Sequence, residues 1–520
     1  MSQFDAYQFP KEKFRLVGSE RKLKDEKFET KPVSYMKDAM RRFAKNKASV
    51  VAAIIIGILV LFAIVGPFFG KSSYVGAYTT DIYIVNYKFL TPRLSIFKGT
   101  GFWDGTKKTE LSTTRYELYR ALEIERGQDI LSEPLSERTS TDLFGKESVY
   151  YTVRIDTYTS LSTQILTITR EEYNSIQAWQ DETGIQVLLP IVDKTLAPGT
   201  ETNPDIWYVS DRKGNATKLD ENGNVVPAYK TSGKDDYTST VRLASDPYNT
   251  TGSTENAYRY AVITGANKDN YQVRVNPYNM FRYKYGFEPS FIFGTNEKGY
   301  DVFTRLANGA RFSLLLAVAV SAINLFIGAI YGAIEGYYGG ATDMIMERIS
   351  DILSGIPFMV VTVLFNLHLA GKVGVVPALL FAFVLTGWIG MASRVRMQFY
   401  RFKNQEYVLA ARTLGARDFR VMFKHIFPNS LGTIITGSIL VIPSVIFSET
   451  SLSYLGIINL DSTTMSSVGS MLSSGQACMT TAPHVVLFPA LFIALLMISF
   501  NLVGNGLRDA FNPSLRGVEE

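Results

Sequence analysis

Six long apolar runs are the feature that most constrains how this chain can fold. The first, residues 49–69, carries no charged side chain over 21 residues, and about 20 apolar residues suffice to cross the hydrocarbon core of a bilayer. It is too long for the core of a signal peptide, so we expect it to remain in the mature chain. The other five runs are 312–334, 352–369, 375–392, 431–447 and 485–503. Together they predict an α-helical polytopic membrane protein with six transmembrane helices.

The distribution of basic residues predicts the orientation of these helices. Residues 1–48 hold 13 Lys and Arg against 7 Asp and Glu, and their stretch 35–47 is amphipathic enough to lie along the membrane surface. The segment 393–430 has eight basic and two acidic residues, whereas 456–484 has no Lys or Arg. Because basic loops stay in the cytoplasm, we expect a multi-pass plasma-membrane protein with both termini cytoplasmic and 71–293 extracellular.

Residues 71–293 are too many for a loop and have the composition of a folded domain. Alternating apolar runs predict strands, and amphipathic runs predict helices. The predicted strands are 149–155 and 163–168, the predicted helices 113–126 and 170–182, and the predicted turns 211–215 and 220–224. We therefore expect an inserted α+β extracellular domain between the first and second transmembrane helices.

This interpretation divides the chain into five parts. They are a cytoplasmic basic tail at 1–48, transmembrane helix 1 at 49–70, the inserted domain at 71–293, a membrane core at 294–513 with a loop at 393–430, and a cytoplasmic tail at 514–520.

Several classes of site are missing from the sequence. The chain has one cysteine, Cys478, and its three histidines lie far apart, which excludes an internal disulfide framework and gives no metal-ligand spacing. It contains neither a G-x-x-x-x-G-K-[ST] phosphate loop nor a G-x-S-x-G nucleophile elbow. We therefore expect no catalytic residue, metal or cofactor in this chain. No nucleic-acid partner is expected either, although the mild net charge of +5 by itself argues nothing about one.

The basic segment contains a stretch, 406–428, that reads as two helices joined at Gly415. Glycine readily adopts positive φ, so it can break the helix there, and Pro428 is expected to close the second helix. The predicted first stripe comprises Tyr407, Ala410, Ala411 and Leu414, the second comprises Phe419, Met422, Phe423 and Ile426, and a charged face comprises Arg417, Arg420 and Lys424. Such a hairpin suits docking to another protein; the alternative is an amphipathic helix resting on anionic lipid.

The hairpin resembles the cytoplasmic motif of ABC-importer permeases. The matching positions are Glu406, Ala410, Ala411, Gly415 and Pro428. The resemblance implies that this loop is the coupling region, which inserts into a cleft of an ATP-binding subunit, with Arg417 and Arg420 on its charged face. It also implies that ATP and Mg are bound by the partner subunits.

Further motifs are similar to those of the second, or C-type, permease of the dipeptide and oligopeptide group. They are 294–301, 308–314, 336–340, 449–456 and 500–509. Asn296 and Tyr300 depart from the Asp and Arg usual in that group, so no family ion pair is expected there. The resemblance covers about 294–513, with the basic tail and first helix also fitting, and implies the type I ABC importer permease fold. It does not cover 71–293.

The resemblance implies the permease subunit of an ATP-driven importer, most simply for oligopeptides or dipeptides. Its expected partners are a second permease subunit, two ATP-binding subunits, an extracellular substrate-binding protein and the lipid bilayer. A membrane-anchored ligand-binding or sensing ectodomain and a secondary transporter without an ATPase stay open as alternatives, although neither needs a docking hairpin. Importers of non-peptide solutes, such as nickel chelates, share the same pattern.

Polar residues inside the apolar runs are candidates for the translocation path, because they are costly in a bilayer. They are Asn324, Asn366 and Glu449. The two asparagines could instead hold helices together by hydrogen bonds, and Glu449 could extend to the outer membrane surface.

The ends of 71–293 both return to the outer surface beside the pore. The segment has about 25 basic and 28 acidic residues, so strong long-range steering is not expected. We expect it to hold the delivering binding protein; the alternative is a passive structural cap.

Overall fold

The computed structural model describes residues 35–68, 86–141, 144–145, 147–189, 229–230, 237–238, 261–264, 269–462 and 465–511. In this part of the chain, five helices are long and apolar enough to cross a membrane, and a helix pair bent by 70° can form a sixth span. The prediction of an α-helical polytopic protein is confirmed.

The helices lie on both sides of a β-containing insert. In chain order they are α1 Tyr35–Lys45, α2 Lys47–Val65, α3 Thr113–Arg126, α4 Arg170–Thr183, α5 Pro277–Tyr285, α6 Val302–Tyr338, α7 Gly340–Ser354, α8 Phe358–His368, α9 Ala370–Val373, α10 Val375–Gly387, α11 Ile389–Phe402, α12 Glu406–Thr413, α13 Asp418–Arg420, α14 Phe427–Ile439, α15 Val441–Tyr454, α16 Val468–Gln476 and α17 His484–Ala510. The strands are β1 Thr106–Ser112, β2 Ser136–Thr141, β3 Glu147–Asp156, β4 Gln164–Thr169, β5 Leu188–Leu189, β6 Tyr229–Lys230, β7 Tyr237–Thr238, β8 Val262–Thr264 and β9 Asn270–Val275.

The membrane helices share one apolar core. Leu59 on α2, Val320 on α6, Val445 on α15 and Leu496 on α17 all belong to it and are buried. Helix α1 packs against the far end of α17, where Phe43 contacts the cluster that includes Leu507. The predicted amphipathic segment at 35–47 is therefore a helix that seals this end of the bundle.

Helix α6 packs closely on α11 along a seam of glycines spaced four residues apart. The seam consists of Gly328, Gly332 and Gly336, and the chain of α11 lies directly against it. A Cβ at Gly332 would lie 2.1 Å from the carbonyl oxygen of Ala392. Small residues at this spacing let two helix backbones approach and exchange dispersion contacts, so the seam holds the two helices as one unit.

Several connections predicted as loops are helical. The apolar runs leave 335–351 and 370–374 between them as short loops; the first contains the end of α6 and most of α7, and α9 occupies most of the second. The loop expected at 393–430 begins within α11 and is mostly helical. Residues 456–484 contain α16, which begins with a capping box at Ser467. These helices carry too few consecutive apolar residues to be recognised from the apolar runs alone.

The described part of the insert contains both helices and antiparallel sheets, as predicted. One sheet has the order β1-β3-β2, and the second has the order β4-β9-β5 with β8 also paired to β9. The predicted helices at 113–126 and 170–182 correspond to α3 and α4. The turns predicted at 211–215 and 220–224 lie outside the described residues.

The insert is seated on the end of α17. The ring of Phe293 stacks on Phe488 at 4.0 Å between centroids, and Trp103 packs against both rings. Lys107 donates a 2.7 Å hydrogen bond to the carbonyl oxygen of Thr481. An aromatic cluster therefore fixes the insert to the membrane core.

Candidate coupling and transport site

The stretch 406–428 forms two helical segments on either side of a glycine with positive φ. Helix α12 ends at Thr413, and Gly415 has a φ of +79°, a left-handed conformation that costs other residues about 1–2 kcal/mol. Helix α13 then leads through a π-helical turn, Val421–Ile426, into α14. The expectation that Pro428 closes the second helix is wrong. It lies in the first turn of α14, where a proline needs no backbone N–H.

One side of the hairpin is buried and the other is exposed to solvent. Val408, Val421 and Ile426 are fully buried in a cluster that includes residues of α6 and α11. By contrast, Leu414 is 87% and Phe419 is 70% exposed. Leu414 directly precedes Gly415, and Phe419 lies on α13 after it; we refer to these two side chains as the hairpin tip. The ring of Phe419 contacts that of Phe423, at 4.7 Å between centroids. The hairpin therefore has a packed base and an apolar tip that the described residues leave largely exposed.

The hairpin is also tied to the end of α6 by polar contacts. The hydroxyl of Tyr337 donates a 2.6 Å hydrogen bond to the carboxylate of Asp418, and the guanidinium of Arg412 lies 4.9 Å from the centre of the Tyr337 ring. Lys403 donates a 2.9 Å bond to the carbonyl oxygen of Gly336, and partial burial lowers its pKa. A displacement of the hairpin must therefore act on α6.

A charge cluster joins α7 to α11 next to this connection. Arg396 donates to Asp343 at 2.6 and 2.8 Å and to Glu347 at 2.9 and 3.0 Å. The buried carboxylate of Glu335 on α6 lies 3.6 Å from the same guanidinium. Bidentate arginine–carboxylate pairs are geometrically specific, so this cluster fixes the relative position of three helices at the hairpin end.

The predicted coupling residues lie mainly on the exposed side of the hairpin. Ala411 is half-buried, and the others are exposed, namely Glu406, Ala410, Gly415, Arg417, Arg420 and Pro428. The predicted first stripe does not pack inward: Tyr407 and Leu414 are exposed. The residue of α12 that packs inward is Val408, which follows Tyr407 in the sequence.

The three predicted path residues have different surroundings. Glu449 is fully buried and accepts hydrogen bonds from Ser313 at 2.9 Å and Ser453 at 3.1 Å, so the alternative that it extends to the membrane surface is wrong for this chain. Asn366 donates a 2.9 Å bond to the carbonyl oxygen of Ile457, which joins α8 to the segment after α15. Asn324 lines a cavity of about 330 Å³. The structure does not bring these three side chains together.

Sequence reasoning missed two features of this site. The glycine seam carries a signal in the sequence, the repeat Gly328-x3-Gly332-x3-Gly336, which could have predicted the contact between α6 and a partner helix. The hydrogen bond between Tyr337 and Asp418 has no such signal in the sequence, because the two residues are 81 positions apart.

Two family models match this chain. The model described as "Binding-protein-dependent transport system inner membrane component" matches residues 324–517, which include the hairpin and the glycine seam. The model described as "N-terminal TM domain of oligopeptide transport permease C" matches residues 34–92, which include α1 and α2. The two matches lie on either side of most of the insert.

Named relatives agree with these matches. The oligopeptide transport system permease protein OppC of Bacillus subtilis is 45% identical over 224 residues, which are 43% of this chain and 72% of the relative. The dipeptide permease DppC of the same organism is 43% identical, covering 43% of this chain and 69% of its own length. OppC of Haemophilus influenzae is 39% identical over 46% of this chain and 75% of the relative. A solved structure, the inward-facing MetNI methionine ABC transporter, aligns at 15% identity and a TM-score of 0.33 over 40% of this chain and 96% of its own.

The matched region therefore contains the hairpin, the seam and the membrane helices, and the first listed relatives are covered over more than two thirds of their length. The chain belongs to the binding-protein-dependent transport permease family, in the group of the oligopeptide and dipeptide C-type permeases.

Proposed function

We propose that this chain is the permease subunit of an ATP-driven ABC importer of oligopeptides or dipeptides, and forms half of the membrane pathway. Its relatives are named as oligopeptide and dipeptide permeases, which supports a peptide cargo. A second permease subunit completes the pathway, two partner subunits bind ATP with Mg and hydrolyse it, and an external binding protein delivers the peptide.

The observation that carries the coupling role is the contrast between the two sides of the hairpin. An apolar tip, with Leu414 87% and Phe419 70% exposed, is costly to leave in water, since burying a leucine or phenylalanine contributes about 1.5–3 kcal/mol. The base is held by buried side chains. This combination suits a rigid element that inserts into a cleft of another protein.

In this mechanism the chain transmits force and performs no chemistry. ATP binding draws the two partner subunits together, and the hairpin tip moves with the cleft that holds it. The base passes the displacement to α6 through the Tyr337–Asp418 bond and to α11 through the buried cluster. Because the glycine seam joins α6 and α11, these helices move as a unit and the pathway changes the side to which it is open.

We propose the orientation expected from the charges, with both termini and the hairpin in the cytoplasm and the insert outside. In this orientation the insert stands at the outer end of α17, to which its aromatic cluster is fixed. It is in place to hold the loaded binding protein. Two exposed apolar side chains of the insert, Ile96 at 83% and Phe102 at 63% exposure, support this role.

The cargo is tested by reconstituting the complete transporter with its partner subunits and binding protein in lipid vesicles. We expect ATP-dependent uptake of a labelled tripeptide and no uptake of a nickel chelate under the same conditions. Uptake of the chelate without the peptide would contradict the peptide assignment, while leaving the family assignment intact.

A further inference from the structure

Two adjoining cavities with mixed polar and apolar linings lie along the membrane helices, and we refer to them together as the groove. The upper cavity, of about 330 Å³, is lined by Asn324, Thr386 and Ser444 among others. The lower cavity, of about 470 Å³, lies toward the hairpin end of the helices. Arg394 and Leu440 line both cavities, so the two volumes meet at these side chains.

Arg394 lies toward the hairpin end of the candidate span Val375–Phe402. About 28 Å of helix separates it from Val375, close to the thickness of a hydrocarbon core, and the uncharged stretch 375–392 ends just before it. An arginine in this part of a span normally faces the bundle interior or a hydrated cavity. Arg394 lines both cavities, so its guanidinium is placed at their junction.

The surrounding residues make room for the guanidinium without neutralising it. Among the described residues its one hydrogen bond is a 3.1 Å bond to the carbonyl oxygen of Gly437, although a guanidinium carries five N–H donors. A Cβ at position 437 would lie 2.8 Å from one of its nitrogens, so glycine leaves the space that Arg394 occupies. The remaining donors are available to a ligand in the groove.

A second buried group in the groove also lacks a partner. Asn324 is only 2% exposed, and within the described chain its side-chain oxygen Oδ1 accepts no hydrogen bond. A Cβ at Gly387 would lie 2.4 Å from the amide nitrogen of Asn324, so glycine again makes room for a polar side chain. A buried acceptor without a partner costs about 1–3 kcal/mol, so this polar group is kept beside the upper cavity at a cost in stability.

We propose that this groove is the part of the translocation path contributed by this subunit, and that Arg394 binds the carboxylate of the peptide as it passes. The inference rests on the proposed peptide import. Guanidinium and carboxylate groups form planar bidentate pairs, which an amide or ester at the same position cannot form. Toward the hairpin end, Arg401 and Arg508 line the lower cavity and extend the positive potential along the path.

The wall of the upper cavity is of mixed character. Its polar side chains are Asn324, Thr386, Ser444 and Ser448, and they alternate with apolar ones such as Phe358, Phe383, Val441 and Val445. A peptide presents polar backbone groups and apolar side chains together, and its terminal carboxylate matches the positive charge of the arginines that line the groove.

The test compares two peptides in one preparation of the complete transporter in vesicles. Trialanine with a free carboxylate and trialanine amide are supplied to the wild type, to Arg394→Gln and to Arg394→Lys. Any preference of the binding protein for one of the two peptides is the same in every preparation, so it cancels when the ratio of their uptake rates is compared between variants. The fraction of folded transporter cancels as well, since both peptides are measured on the same vesicles. Arg348→Gln, at a 77% exposed arginine on α7, is the matched control.

We expect Arg394→Gln to lower uptake of the free-carboxylate peptide about tenfold relative to the amide, in line with the loss of a hydrogen bond to a charged group. Arg394→Lys should give an intermediate ratio, and Arg348→Gln a ratio equal to that of the wild type. An equal loss of both peptides, partial or complete, would overturn the proposal. A wild-type transporter that imports neither peptide would instead contradict the proposed function.

Discussion

Tyr337 at the end of α6 donates a 2.6 Å hydrogen bond to Asp418 at the start of α13. The tyrosine is buried and the aspartate is exposed, so the bond joins the packed membrane core to the exposed side of the hairpin. The same ring lies beneath the guanidinium of Arg412. One side chain of α6 thus contacts both helical segments of the hairpin.

Tyr337→Phe removes this bond and keeps the ring. Because a neutral donor to a charged acceptor is lost, the connection weakens by about 1.5–3 kcal/mol at most, and less where water replaces the tyrosine. We expect fewer peptides to be imported per ATP hydrolysed, measured by uptake and phosphate release on the same vesicles. Tyr338→Phe, at the neighbouring exposed position, is the control. An unchanged ratio of peptide to ATP in Tyr337→Phe would show that the bond is not part of the coupling.

Gly415 offers a test of the backbone alone. A Cβ there would meet no atom within 4 Å, so a substitution acts through the positive φ and not through a clash. Gly415→Val should lower transport because a β-branched residue is strained at φ +79° by about 1–2 kcal/mol. Asparagine tolerates this conformation, so Gly415→Asn should retain most of the activity. Equal uptake by the two variants would rule out a role for the turn.

The proposed orientation is tested with a membrane-impermeant maleimide. Native Cys478 is buried, so the wild type should not be labelled. Ala178→Cys, on the exposed side of α4, should be labelled in intact cells. Thr413→Cys, on the hairpin, should be labelled only after permeabilisation. Labelling of Thr413→Cys in sealed cells would invert the proposed topology.

The docking role of the insert is tested at two exposed apolar side chains, Ile96 and Phe102. Ile96→Asp with Phe102→Asp should weaken binding of the loaded binding protein by about tenfold or more, because truncation of a central interface side chain commonly costs more than 1 kcal/mol. The measurement is the concentration of binding protein that half-stimulates ATP hydrolysis by the transporter. Ile124→Asp, at a 51% exposed position on α3, is the control. A half-stimulating concentration unchanged by the double substitution would exclude these two side chains from the docking surface.

The sequence predicted five of the membrane helices because each contains an apolar run of about 17–23 residues, a signal that requires no knowledge of neighbours. The run at 352–369 instead forms mainly the shorter α8, which is bent by 70° from α7. The extension of α6 to Tyr338 could not be predicted in the same way. Its last turns contain Glu335 and Gly336, and they are held as helix by the close contact with α11 and by the Arg396 cluster. Tertiary contacts of this kind override local composition.

The surroundings of single polar residues could not be predicted from the sequence either. Glu449 lies near the end of an apolar run, and only the fold places Ser313, 136 positions earlier, against its carboxylate. Arg394 was counted among the basic residues of a loop, whereas the helix that contains it continues to Phe402. In contrast, the hairpin was located correctly, since a glycine between two amphipathic stretches is a local signal.

In the proposed mechanism the hairpin tip couples ATP hydrolysis in the partner subunits to peptide import. This coupling is tested most directly by ATP-driven uptake of trialanine into vesicles that contain the complete transporter with Leu414→Asp and Phe419→Asp together. The conservative pair Leu414→Met and Phe419→Leu, which keeps the tip apolar, is the control. We expect the aspartate pair to lower uptake at least about tenfold, since burying a charge in an apolar cleft is unfavourable, and the conservative pair to stay near the wild-type rate. Uptake by the aspartate pair at the wild-type rate would contradict the coupling role of the hairpin.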